Sequence, residues 1–173
     1  SIVDVMIALV ILMVGILGLL SVISIGLLQS RGQATQLGAK QIATSTIESI
    51  MSVKETSDPS RLGWIAVGNV GSNPNALNVP QGIFVTGFQP VRAAAGVDEV
   101  VGTADDAGAV SPDYLRQIVI TDICDPDRPS ANCPTPGIFP VRIRSVQVTV
   151  SYFVGQVRRQ EVLNTVLTDY AAN

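Results

Sequence analysis

Between Asp4 and Arg31 the chain has no charged side chain: residues 5–28 are apolar or glycine apart from two serines, Ser21 and Ser24. As a helix rising 1.5 Å per residue this stretch is about 36 Å long, enough to cross a hydrocarbon core of about 30 Å. Asp4 stands at its head, where an ordinary signal or anchor sequence carries Lys or Arg. A carboxylate beside such a span is costly unless a cation meets it. No cation lies within the span, so the partner of Asp4 is expected from outside it.

Once the span is set aside, about 120 residues of the 173 remain for a single small core. The hydrophobic fraction of 47% is inflated by the span, and no second stretch reaches spanning length. With a net charge of −3 the chain offers no basic field for phosphates, so direct nucleic-acid binding is not expected. Histidine is absent and no Gly-rich phosphate loop occurs, which takes away the usual general base, the commonest metal ligand and a nucleotide cradle. An enzyme is not expected, and neither is a resident cofactor.

The segment 29–56 continues in helical period. Leu37, Ala43, Ile47, Ile50 and Met51 form an apolar stripe, with Arg31, Lys40, Gln41, Glu48 and Lys54 on the other side and Gln36 assigned to the open side. One helix of about 50 residues follows from this pattern; the alternative is two helices broken near Arg31 and Gly32. Pro59 cannot continue a helix and ends it. Residues 59–80, rich in Gly, Asn and Pro, read as a long surface connection, with Trp64 plugging it onto the core. Four strands are predicted at residues 82–91, 114–123, 141–153 and 156–168. In the third, Val146, Val148, Val150 and Tyr152 alternate with polar residues, and the last two form a hairpin. The predicted fold is α+β: a long N-terminal helix, apolar in residues 1–28 and amphipathic in 29–56, packed on a four-stranded antiparallel sheet within 57–173.

Three groups of residues stand out as candidate sites. Gly15, Gly18 and Gly26 each cost about 1 kcal/mol in a helix, and they suit close helix packing or a local break. Cys124 and Cys133 bracket a turn-rich segment without histidine, which favours a disulfide in an extracytoplasmic protein over a zinc site; free thiols are the alternative. Asp98, Glu99, Asp105, Asp106 and Asp113 crowd one segment, where hard oxygen ligands suit calcium. Their spacing does not match an EF-hand loop, and a solvated acidic loop is the alternative.

The run Ser1-Ile2-Val3-Asp4-Val5-Met6-Ile7-Ala8-Leu9-Val10-Ile11-Leu12 resembles the mature N-terminus of type IV pilins and pseudopilins. Residues 7–20 are most similar to the minor pilins called type IV pilus modification proteins. The resemblance implies a pilin-like fold and one further residue, typically an N-methylated Phe, ahead of Ser1. Asp4 stands where the family has Glu and would pair with the α-amine of a neighbouring subunit. The family also implies a loss of helicity on assembly, placed here between Gly15 and Gly26, and in some pseudopilins a calcium held in a loop before the last strands. The function expected is a structural subunit of a type IV pilus-type filament. Its partners would be copies of itself or other pilins, the assembly machinery with its ATPase, and the inner membrane before export to an extracellular filament. A minor pilin and a type II secretion pseudopilin are the alternatives within this class; a membrane-tethered adhesin or calcium-binding module is the alternative outside it.

Overall fold

The computed structural model of the chain describes residues 1–56, 63–75, 77–125, 127 and 141–169. A single helix, α1 (Ile2–Glu55), runs for 54 residues without interruption at Arg31 or Gly32, so the two-helix alternative is not what forms. Ser1 caps it, its Oγ accepting from the Val3 amide. Hydroxyls that would be stranded on the apolar half bond back to the preceding turn. Ser21 donates to the Leu17 carbonyl at 3.0 Å and Ser24 to that of Leu20 at 2.9 Å. The helix stops at Thr56, whose ψ of 132° is extended and whose amide still reaches the Val53 carbonyl; Pro59 lies outside the described residues.

The sheet is an antiparallel meander in the order β1 (Gln89–Ala94), β2 (Ala107–Ile123), β3 (Ile143–Val154) and β4 (Val157–Thr168). A two-residue turn at Gly155 and Gln156 joins β3 to β4, with Gly155 at φ +62° and Val154 paired to Val157. The predicted first strand is corrected. Residues 82–88 lie outside the ladder because their backbone groups are taken up by connecting segments: the Phe84 amide donates to the Gly68 carbonyl at 3.0 Å and the Val85 amide to that of Gly102 at 3.0 Å. Phe84, fully buried, plugs the core from this segment instead of from a strand. At the second strand the error runs the other way, since β2 begins at Ala107 and draws Asp113 out of the predicted acidic loop.

The C-terminal half of α1 lies across β3 and β4. Its buried face is Ala39, Ala43, Thr46, Ile47, Ile50 and Val53, set against Val146, Val148, Val150 and Tyr152 of β3 and Ile118 of β2. Leu37 and Met51 are corrected: they are 59% and 46% exposed and point away from the sheet. Close approach is the reason. Helix and sheet meet through alanines, and at Gly38 an added Cβ would sit 2.5 Å from the Tyr114 hydroxyl, which donates to the Thr35 carbonyl at 3.1 Å. A larger residue at that level is accommodated only on the far side of the helix. Gln36, assigned to the open side, is instead half-buried and donates to Glu161 of β4 at 2.6 Å.

Candidate functional site

The N-terminal half of α1 has no cover within the chain. Ile2, Val22 and Leu27 are 81%, 69% and 61% exposed, and the most apolar 18-residue window of the helix has 0% of its residues buried. A helix of this length and composition is able to cross a membrane. An apolar surface running along half of a 54-residue helix is far more than water tolerates. A bilayer or a bundle of similar helices meets that demand.

Asp4 lies at the tip of this surface. Its Oδ2 is 3.1 Å from the backbone nitrogen of Ser1, one helical turn away, and both side chains are largely solvent-exposed. The first-turn position also sets the carboxylate against the positive end of the helix dipole. At Gly15, Gly18 and Gly26 an added Cβ would meet nothing within 4 Å, and the helix is unbroken through all three. Within the chain these glycines pack against nothing; the glycines of α1 that admit a close neighbour are Gly38 and Gly32, the latter with Val154 Cγ1 3.0 Å from its Cβ position.

The acidic segment is knitted into the protein by its own hydrogen bonds. Asp98 Oδ1 accepts from the Val100 amide, and Asp105 accepts from the Thr103 hydroxyl at 2.6 Å and the Asp98 amide at 3.2 Å. The Thr103 hydroxyl is the main cause holding the Asp105 carboxyl below its ordinary value. Asp106 accepts from the Gly102 amide and pairs with Arg116 at 2.7 Å, with both side chains nearly buried. Glu99 adopts a left-handed φ of +58°, and Asp113 is exposed on β2. Among the described residues no three His, Cys, Asp or Glu side chains are placed to hold a metal ion. Cys124 is disulfide-bonded; Cys133 lies outside the described residues.

Two buried arginines escaped the sequence reading. Arg116 faces the helix from β2 and holds Asp106 and, at 3.5 Å, the Thr46 hydroxyl. Arg144 of β3 is bonded to Asp122 at 2.9 Å, to the carbonyls of Val67 and Trp64, and to Asn73 at 3.0 Å. It also lies 4.4 Å from the Trp64 ring centroid, and the Trp64 indole donates to the Val141 carbonyl at 2.7 Å. Burial lowers the Arg144 pKa, and Asp122 opposes the shift. The signal was present: Arg116 and Arg144 sit in the same alternation as Ile118 and Val146, and a cation at an inward position requires a carboxylate. Searched against protein-family models, curated proteins and solved structures, the chain finds no match.

Proposed function

We propose that the chain is a structural subunit of an extracellular, type IV pilus-type filament. It waits in the inner membrane on residues 1–28 and is drawn out by an assembly machine. One observation carries this reading: α1 is a single rigid element whose C-terminal half is seated on the sheet while its N-terminal half is apolar on all sides and uncovered. A helix that is hydrophobic all round belongs in lipid or in a bundle. Continuity through Gly32 joins the uncovered half of the helix directly to the half seated on the sheet. Exchange of lipid contact for helix contact is close to neutral, because lipid tails are as apolar as Leu or Ile, so assembly can be driven and reversed by an external motor. The N-terminal resemblance to pilins, with an acid at the head of an uncharged span, points the same way. Electron microscopy of material sheared from cells that express the chain with pilus machinery, followed by mass spectrometry of the filaments, tests it. Filaments containing the chain are expected. Their absence, with the chain retained in the membrane fraction, would replace the filament reading with that of a membrane-tethered module.

A further inference from the structure

We propose that the β3–β4 hairpin is a second membrane contact, seating on the headgroups of anionic lipids while residues 5–28 are in the bilayer. This rests on the reading that those residues cross the membrane. The height of the hairpin is fixed by contact, since Gly32 of α1 abuts Val154, the last residue of β3. From the end of the apolar stretch at residue 28 to Gly32 is four residues, about 6 Å of helix. The headgroup layer on each side of the hydrocarbon core is about 5–8 Å deep, so a filled core places the hairpin turn within that layer.

The chemistry of the tip matches that level. Phe153 and Val157 are 54% and 57% exposed on either side of the turn. Arg158 donates to Ser151 at 2.6 Å and lies 5.5 Å from the ring centroid of Phe88, itself 38% exposed. Residues 29–36 and 153–160 together contain Arg31, Arg158 and Arg159 and no carboxylate, in a chain whose net charge is −3. Glu161, the first acid after Arg159 in β4, is already engaged by Gln36. Cationic residues beside exposed aromatic and aliphatic ones are what an anionic headgroup layer receives, each arginine being worth about five-fold in partition.

The test uses the full chain carrying Phe153→Trp, reconstituted in vesicles of phosphatidylcholine alone or mixed with phosphatidylglycerol, with bromines placed near the lipid carbonyls. The unsubstituted chain, whose only tryptophan is Trp64 at the far end of β3, supplies the baseline. Phe153→Trp is expected to be quenched well above that baseline in the anionic vesicles. Adding Arg158→Gln and Arg159→Gln should lower the ratio of seated to lifted tip by about 25-fold. Quenching at the baseline level overturns the proposal. So does quenching that ignores headgroup charge and grows with protein density, which would mark a contact between copies. Leu17→Trp, probed with bromines at mid-chain, separates the two readings: if it is unquenched the span itself is not in the bilayer, whereas if it is quenched and Phe153→Trp is not, only the hairpin contact fails.

Discussion

Asp106 and Arg116 form an ion pair whose side chains are 8% and 3% exposed, with Gly102 and Thr46 supplying the remaining hydrogen bonds. Removing one partner strands the other in a low-dielectric site, which costs about 3–5 kcal/mol, whereas removing both costs much less. Asp106→Ala is therefore expected to lower the melting temperature by roughly 10 °C, and the double variant Asp106→Ala with Arg116→Met to recover most of that loss. Calorimetry of the two in detergent decides it; equal melting temperatures would mean that the pair is not a unit. Asp105 gives a second test, by pH. Its folded-state pKa is depressed, chiefly by the Thr103 hydroxyl, so the contribution is present above the ordinary aspartate value of 3.8 and is lost as pH falls through the lower folded value. The NMR shift of the Asp98 amide, which donates to Asp105, should titrate below 3.8; a midpoint at or above it contradicts the geometry.

At the level of elements, legibility followed how far each pattern depended on neighbours. The long helix and the third strand were readable because Val146, Val148, Val150 and Tyr152 alternate strictly and residues 5–28 admit no other element. The first strand was not, because Phe84 is apolar and extended yet finds its hydrogen bonds in loops, a choice made by tertiary contacts. On the helix, the apolar stripe named Ala43, Ile47 and Ile50 correctly and Leu37 and Met51 wrongly: helical spacing suggested burial, whereas Ala39 and Gly38 mark the tight approach. Of the candidate sites, the acidic segment was visible as a cluster, but its partners Arg116 and Thr103 are chosen by the fold. Ile47→Asp should place a carboxylate between α1 and the sheet and cost about 4 kcal/mol, while Leu37→Asp, on the opposite side, should change stability by less than about 0.5 kcal/mol. Thermal melts of the detergent-solubilised chain compare them, and matching curves would show that the helix does not dock through this face.

At the level of the whole molecule, the proposed filament requires the charge at the head of a 54-residue helix to pass from a lipid surface into a helix bundle. Asp4 is 78% exposed by its side chain, an arrangement that costs little at a membrane surface. Inside a bundle of apolar helices the carboxylate loses that water, and unmatched it costs several kcal/mol there, so in the proposed filament a cation of a neighbouring copy has to meet it. The carboxylate is dispensable for folding, since the core of the sheet domain is built on the helix from Ala39 onward. It is also dispensable for insertion, since the apolar stretch is unchanged by its loss. Asp4→Ala is therefore expected to yield a folded, membrane-inserted chain with filament yield reduced about ten-fold or more, the cation of the neighbouring copy now lacking its counter-charge during bundling. The measurement is sheared-filament yield set against the membrane-retained pool in the same cells. Wild-type yield from Asp4→Ala would mean that the charge at the head of the stem takes no part in assembly.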